Sequence, residues 1–410
     1  MRRYFLALLL TVLLWCNLAN AQPLKTVVEK ALAFSEQQSL LMARKYEHEA
    51  GVLPRSFEAW KNTISDSRWW CSGFFPGSLW YLYAHSKNPQ LLQYARLYTD
   101  RVEREKYTTD NHDVGFMLYC SFGNGLRLTG QESYKEVLLT GAQSLATRYD
   151  PKVGLIRSWD HNKTVWQYPV IIDNIMNLEL LLWASKQSGS EKLKKIALSH
   201  ADKTMEHHFR PDFSSYHLVS YDRRTGLPHK KQTHQGYADD SAWSRGQAWG
   251  LYGYTYLYRE TKEKRYLDQA NHIASFLINH PKMPENFIPY WDYNAPQEAN
   301  TPRDASAACI MASALTELSD FVNADTRKKY MEVVEKQIRT LASDEYTAKL
   351  GENGNFILMH STGAFPFKSE VDAPLTYADY YYLEALSRLK KKIVTPSSAN
   401  DVGYIQPKSH

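Results

Sequence analysis

The segment IIDNIMNLELLLWASKQSGSEKLKKIALSHADKTMEHH, residues 171–208, contains the structural unit from which the predicted fold follows. Its first half, 172–187, is apolar on most sides, which is typical of a helix that is buried all round. Gly189 and Ser190 then interrupt the pattern. Residues 190–208 combine helical apolar spacing with a face of Lys and Glu, which predicts an amphipathic helix. So short a link predicts an antiparallel helical hairpin.

The same unit recurs along the chain. Apolar spacing of three and four residues is frequent, whereas the alternation typical of strands is scarce. The links after the second, fourth, sixth, eighth and tenth helices are about one to five residues long, and the links before the even-numbered helices are about seven to thirty. This rhythm predicts an all-α (α/α)6 toroid of six inner and six outer helices, forming a single domain at 22–390. The predicted helices are 24–47, 74–86, 88–105, 113–129, 131–148, 172–187, 190–208, 242–261, 264–280, 304–321, 326–343 and 375–391.

The long loops of such a toroid all open onto one face, and every inner helix begins at that face. Helix N-termini carry partial positive charge and free N–H groups, which suit an anionic ligand. The sequence therefore predicts the functional site at this end of the ring.

Two stretches place an aspartate where a polar loop meets an apolar helix. They are His112-Asp113-Val114-Gly115-Phe116 and Ile171-Ile172-Asp173-Asn174-Ile175-Met176-Asn177. Since packed helices lie roughly 8–10 Å apart, the two carboxyl groups can face each other across a sugar-sized gap. Two carboxyl groups, one protonated and one ionised, suit general acid/base chemistry on a sugar. The alternative is that each aspartate is only a helix N-cap.

Further candidates lie at the entries to neighbouring inner helices. Arg245 and Trp249 are four residues apart and share a helical face, which would offer a carboxylate-binding guanidinium beside a stacking ring. The alternative is a surface arginine, but few charged residues surround Arg245. A single histidine in a long loop, such as His217, more often has a structural role than a functional one. The other candidate substrate-binding residues are Trp70, His112, Gln235, Trp243 and Ser369.

The chain begins with features of an export signal. Met1-Arg2-Arg3 precedes an apolar run from Phe5 to Trp15, and Ala19-Asn20-Ala21 is a small-x-small cleavage site. The run is too short for a membrane anchor. We expect residues 1–21 to be a signal peptide, removed after Ala21, and the mature enzyme to be periplasmic. The basic, then Pro- and Ser-rich segment 391–410 is expected to be a flexible tail.

Charge and cysteine content exclude several classes of protein. The formal charge is +5, and losing Arg2 and Arg3 would leave +3, too little for a nucleic-acid-binding surface. The mature chain keeps Cys71, Cys120 and Cys309, which are widely scattered and odd in number, so a disulfide framework is not expected. Neither Cys-x-x-Cys nor His-Glu-x-x-His occurs. We expect no metal or other cofactor, and a monomer or weak homodimer.

Five motifs together resemble the unsaturated glucuronyl hydrolases of glycoside hydrolase family 88, and they occur in the order found in that family. The resemblance covers most of the mature chain and implies an (α/α)6 barrel. The motifs are His112-Asp113-Val114-Gly115-Phe116, Asp173-Asn174-Ile175-Met176-Asn177-Leu178, Trp243-Ser244-Arg245-Gly246-Gln247-Ala248-Trp249, Arg303-Asp304-Ala305-Ser306-Ala307 and Ser369-Glu370-Val371-Asp372.

The resemblance implies a substrate class and roles for residues. The substrates are oligosaccharides left by polysaccharide lyases, whose terminal uronic acid carries a C4=C5 double bond. Asp173 matches the general acid/base of the family and Asp113 its second essential aspartate. The remaining matches shape the pocket or hold the uronate, and they are Trp70, His217, Gln235, Arg245 and Trp249, with His112 flanking Asp113. The last loop, Gly363 to Phe367, is more apolar than expected of family members that bind a sulfate group of the substrate there.

The expected reaction is hydration of the double bond, with Asp173 protonated at rest and Asp113 ionised to stabilise a cationic transition state. Three alternatives remain open from the sequence. They are hydrolysis of unsaturated rhamnogalacturonides on the same fold, hydrolysis of a saturated glycan by paired acids, and non-catalytic glycan binding in a periplasmic uptake system.

Overall fold

The computed structural model describes residues 22–394. The predicted signal peptide and the tail from 395 onward lie outside the described residues. Twelve long helices dominate, and we number them α1 to α12. They are α1 (Leu24–Tyr46), α2 (Phe74–Ser86), α3 (Pro89–Asp100), α4 (Val114–Leu118, a π-helical segment Tyr119–Gly123 and Asn124–Thr129), α5 (Glu132–Ala146), α6 (Asn174–Ser188), α7 (Glu191–His207), α8 (Ser244–Thr261), α9 (Lys264–Asn279), α10 (Ala305–Leu318), α11 (Ala324–Leu341) and α12 (Thr376–Val394).

The even-numbered helices form a closed inner ring. Each packs against the next in chain order, and α12 returns to pack against α2. They are buried almost all round; in α10 every residue except Glu317 is buried. The odd-numbered helices cover this ring from outside, each against its hairpin partner, while α1 covers α2 and α12. The structure therefore confirms the (α/α)6 toroid, and α12 extends through Val394, into the segment that the sequence assigned to the tail.

The short turns between paired helices have local causes. Lys87, Gly130, Gly189 and Lys262 end α2, α4, α6 and α8 in the left-handed conformation, which satisfies helix C-termini and reverses the chain. Asn88, Ser190 and Asn323 then cap the following helices with their side chains. Local sequence thus determines the hairpins.

The long loops contain strands that the sequence pattern did not predict. Each sheet is antiparallel: β1–β2, β3–β4, β5–β6–β7 and β8–β9. The strands have two to six residues, too few to establish a period-two pattern. They are β1 (Leu53–Glu58), β2 (Lys61–Ser65), β3 (Tyr149–Asp150), β4 (Leu155–Ile156), β5 (Pro169–Ile171), β6 (Leu218–Tyr221), β7 (Pro228–Gln232), β8 (Ser361–Ala364) and β9 (Ser369–Ala373).

No helix among residues 22–394 is both long enough and apolar enough to cross a membrane. Within this part of the chain, the three cysteines Cys71, Cys120 and Cys309 are buried free thiols.

Helices α4 and α6 approach closely at Gly115. A Cβ atom at this position would lie 2.7 Å from both Cα and Oδ1 of Asn177. The Asn177 side chain uses this proximity, because its Oδ1 accepts a 2.8 Å hydrogen bond from the Phe116 amide. The contact fixes the separation between the starts of two inner helices.

We predict that Gly115→Ala lowers the free energy of unfolding by about 1–3 kcal/mol, because the added methyl group must displace the α6 backbone. Urea denaturation measures this change. Gly250→Ala is the matched control within an inner helix, since its Cβ would meet only side-chain atoms, of Phe209 at 3.2 Å and of Ile273 at 3.6 Å. Equal destabilisation of the two variants would contradict the proposed close contact.

Candidate active site

Asp113 and Asp173 occupy the N-cap positions of α4 and α6, yet neither side chain caps its helix. Asp304, by contrast, begins α10 and accepts a hydrogen bond from the Ser306 amide. Asp113 and Asp173 are both buried. The N-cap interpretation is therefore wrong for these two aspartates, and their carboxyl groups are available for another purpose.

Asn177 bridges the two aspartates. Its Nδ2 lies 3.5 Å from Asp113 Oδ1 and 3.5 Å from the Asp173 carbonyl oxygen. The carboxyl groups also interact electrostatically, since a negative charge on Asp173 raises the pKa of Asp113. The structure thus brings together the pair that the sequence predicted to meet.

His112 faces Asp113 and is fixed by the loop after β4. Its Nδ1 lies 2.8 Å from the Ser158 carbonyl oxygen, and its Nε2 lies 3.2 Å from Asp113 Oδ1. Burial lowers the pKa of His112 to about 3 and raises the pKa of Asp113 well above its ordinary value. A neutral histidine therefore borders a carboxyl group that burial drives toward protonation.

The environment of Asp173 differs from that of Asp113. Burial raises its pKa to about 6, while the positive charge of Arg245 opposes the rise. His217 Nε2 lies 3.7 Å from Asp173 Oδ2, because pairing of β5 with β6 places Ile171 opposite Leu218. Asp173 Oδ2, His217 Nε2 and Trp249 Nε1 are buried and make no hydrogen bond of ordinary geometry, although Trp249 is placed close enough as a donor to lower the pKa of Asp173. These three polar atoms lie together at the Asp173 carboxyl group.

The sequence expectation assigns a proton to Asp173 and a negative charge to Asp113. In the structure burial raises the pKa of both carboxyl groups, that of Asp173 to about 6, and a negative charge on Asp173 adds to the rise for Asp113. Asp173, with a pKa of about 6, is therefore the carboxyl group able to cycle between both forms near neutral pH.

Arg245 is buried and already bound. Its Nη1 donates to Asp304 Oδ2 at 3.1 Å and to the Thr362 carbonyl at 2.5 Å, and its Nη2 donates to the Gly363 carbonyl at 2.6 Å. These bonds join α8, the start of α10 and strand β8. Nη1 thus uses both of its N–H groups and Nη2 one of its two, while Nε has no hydrogen-bond partner, and the positive charge of Arg245 lowers the pKa of Asp173.

A cavity of about 760 Å³ leads to this site. His112, Asp113 and Trp70 are among the residues that line it, whereas Asp173 is not. Trp70 is held between Tyr377, 4.9 Å away between ring centroids, and Phe116, 5.6 Å away. Aromatic walls of this kind suit the apolar faces of sugars.

The other predicted substrate-binding residues have varied positions. Gln235 donates through Nε2 to the Gly363 carbonyl at 3.3 Å, and its backbone amide binds His217. Trp243 packs between His217 and Arg245, 4.7 Å from the His217 ring. Ser369 lies on β9 opposite Ala364, and none of its hydrogen bonds or ring contacts reaches the aspartates.

Several residues were not assigned a role from the sequence. Asn177, Ser158 and Asp304 orient the site through hydrogen bonds, and Trp159 and His161 stack at 5.1 Å on the cavity wall. Asn177 and Asp304 belong to motifs quoted in the sequence analysis. Their place in those motifs was the indication of a functional role that the sequence offered. Within residues 22–394, no group of three or more His, Cys, Asp or Glu side chains is placed to hold a metal ion.

Comparison with known proteins gives consistent results. The profile described as Glycosyl Hydrolase Family 88 matches residues 44–396. An unsaturated glucuronyl hydrolase of Formosa agariphila is 44% identical over 348 residues, covering 84% of this chain and 86% of that protein. An unsaturated chondroitin disaccharide hydrolase of Streptococcus pyogenes serotype M1 is 33% identical, with 80% and 83% covered. The crystal structure of an unsaturated glucuronyl hydrolase specific for heparin superposes with a TM-score of 0.87 at 47% identity, covering 90% of this chain and 98% of that one.

Asp173→Asn should change stability in a pH-dependent way. The folded-state pKa of about 6 exceeds the unfolded value of about 3.9, so the wild type loses stability as pH rises from about 4 through 6. The neutral amide avoids this loss. We expect the variant to match the wild type near pH 4 and to be more stable by about 2 kcal/mol at pH 7.5. Urea denaturation at both values tests this, and a pH-independent difference would refute it.

Proposed function

The chain belongs to glycoside hydrolase family 88, and from this we propose that it releases the terminal Δ4,5-unsaturated uronic acid from glycosaminoglycan oligosaccharides produced by lyases. The activities named for its relatives support this substrate class. So does the site, in which Asn177 joins two buried aspartates and burial raises the pKa of both, that of Asp173 to about 6. This pair carries the proposal.

The reaction hydrates a vinyl ether. Asp173 transfers its proton to C4 of the unsaturated ring, and positive character develops at C5 and the ring oxygen. Water adds at C5, and the ionised Asp173 accepts its released proton, which restores the acid. The hemiketal at C5 then collapses without further catalysis and frees the partner sugar.

The surroundings of Asp173 suit both of its roles. A catalytic pKa near the working pH lets one group donate and accept a proton within a cycle. Burial raises that pKa, and the nearby charge of Arg245 keeps it from rising further. Asp113 lines the cavity, and its role in the proposal is to hydrogen-bond the ring hydroxyls of the substrate.

Loss of either carboxyl group should reduce turnover. We expect Asp173→Asn and Asp113→Asn each to lower kcat by about 10²–10⁴, the range for removal of a general acid or base. Loss of the ultraviolet absorbance of the double bond measures the rate. Asp268→Asn is the control, since this exposed carboxylate pairs with Lys264 on the surface of α9. Near-normal turnover by Asp173→Asn would overturn the assignment.

The preferred oligosaccharide can be tested with a panel of unsaturated disaccharides from heparin, chondroitin, hyaluronan and rhamnogalacturonan. Identity is 47% to the heparin-specific structure but 33% to the chondroitin disaccharide hydrolase. We therefore expect the highest kcat/KM on a heparin-derived disaccharide. Turnover of the rhamnogalacturonide alone would favour the sister activity. Activity on saturated polymer would favour ordinary glycoside hydrolysis, and binding without turnover would favour a transport-associated binding protein.

We also propose that the protein is exported and acts in the periplasm. The support is the basic start, the short apolar run and the Ala19-Asn20-Ala21 cleavage pattern. Mass spectrometry of the protein recovered from cell fractions should find Gln22 at the N-terminus in the periplasmic fraction. An intact Met1 on protein confined to the cytoplasm would contradict this proposal.

A further inference from the structure

The tautomer of His112 is determined by its backbone partner. The Ser158 carbonyl lies 2.8 Å from Nδ1 and also accepts the His112 amide. A carbonyl oxygen only accepts hydrogen bonds, so Nδ1 carries the proton. The Ser158 amide is itself bound to the Pro169 carbonyl at 2.8 Å, which fixes the position of this loop.

The other ring nitrogen of His112 is therefore an acceptor. Burial and the positive charge of Arg148 keep the imidazole neutral, so Nε2 has a lone pair and no proton. This nitrogen is buried, and Asp113 Oδ1 lies 3.2 Å away. If Asp113 were ionised, two hydrogen-bond acceptors, its Oδ1 and the His112 Nε2, would lie next to each other with no proton between them. A proton on Asp113 turns the same contact into an O–H···N hydrogen bond.

His217 has the opposite tautomer. Its Nδ1 accepts from the backbone amides of His234 at 2.9 Å and Gln235 at 3.1 Å, so the proton of the neutral ring is on Nε2. That nitrogen faces Asp173 Oδ2 at 3.7 Å. Asp173 thus faces a hydrogen-bond donor, His217 Nε2, whereas Asp113 faces an acceptor, His112 Nε2.

We propose that His112 is a positioning residue that holds the proton of Asp113, so that Asp113 works as a neutral group and Asp173 alone titrates during catalysis. The inference deepens the proposed function and rests on it for its kinetic test. Its structural basis is the pair of opposite histidine tautomers, each imposed by main-chain groups.

Groups on every neighbouring element agree with this arrangement. Asp113 faces Asp173 and Asn177 on α6, Cys71 before α2, and Arg148 after α5. Arg148 is the only cation that acts on Asp113 among the described residues, and its side chain is bound to the Thr109 and Arg157 carbonyls and to Asp160. No cation is therefore paired directly with Asp113 within this part of the chain.

A neutral Asp113 has two consequences for the reaction. It spares Asp173 a second negative charge, which would raise the pKa of Asp173 and make it a weaker acid. It also leaves one ionisable carboxyl group rather than two beside an anionic uronate, which reduces charge repulsion with the substrate.

Infrared spectroscopy can locate the proton directly. Protein labelled with ¹³C at aspartate carboxyl groups should show a protonated carboxyl band at pH 7 that loses intensity in Asp113→Asn and keeps it in Asp173→Asn. Asp379→Asn identifies the contribution of Asp379, whose pKa burial raises to about 7. A band unchanged by Asp113→Asn would overturn the proposal without reference to activity. This measurement uses the wild-type side chain of His112, so it remains decisive if variants at that position fold poorly.

The kinetic test uses His112→Asn. The amide nitrogen can still donate to the Ser158 carbonyl, but nothing replaces the Nε2 acceptor. We expect the infrared band to weaken and the alkaline limb of kcat/KM to move up by about one pH unit, because Asp113 becomes charged beside Asp173. His272→Asn, at an exposed site beside Phe213, is the control. An unchanged alkaline limb would contradict the proposal, whereas a wild type that consumes no lyase product would instead contradict the proposed function.

Discussion

The close approach of α4 to α6 is the constraint on which the site depends. Gly115 has no side chain, so Asn177 can bind the Phe116 amide and lie beside Asp113 at the same time. A larger residue would separate the two helix starts and, with them, Asp113 and Asp173. The motif residues around the aspartates thus have a packing role as well as a chemical one.

Main-chain groups of the long loops determine the electrostatics of the site. The Ser158 carbonyl orients His112, and the amides of His234 and Gln235 orient His217. Carbonyls of strand β8 hold Arg245. The small sheets that fix these loops therefore act on the chemistry indirectly, because hydrogen-bond partners decide where each proton resides.

The opposite end of the inner ring is built differently. There Arg259 on α8 binds Glu179 on α6 and Glu317 on α10, and Arg388 on α12 also binds Glu317. Four inner helices are joined by two arginines. Their charges lower the pKa of Glu317 against the effect of burial, whereas burial raises the pKa of Glu179 to about 7. Removing one member of such a network would leave a buried charge without its partner, which would lower the free energy of unfolding. We interpret this network as closing the ring, while the loop end keeps its unpaired carboxyl groups for catalysis.

The sequence by itself determined the twelve helices, their pairing into hairpins and the positions of both aspartates at the starts of inner helices. These features follow from apolar periodicity and from capping residues such as Gly189 and Ser190, which act over a few neighbours. Only the tertiary structure decided that neither aspartate caps its helix, that burial raises the pKa of both, and that Arg245 donates to Asp304 and to two carbonyls of β8. The physical reason is distance along the chain: Phe116 and Asn177 are 61 residues apart, and Arg245 and Gly363 are 118 apart. Burial and hydrogen-bond partners of this kind arise only when the ring closes.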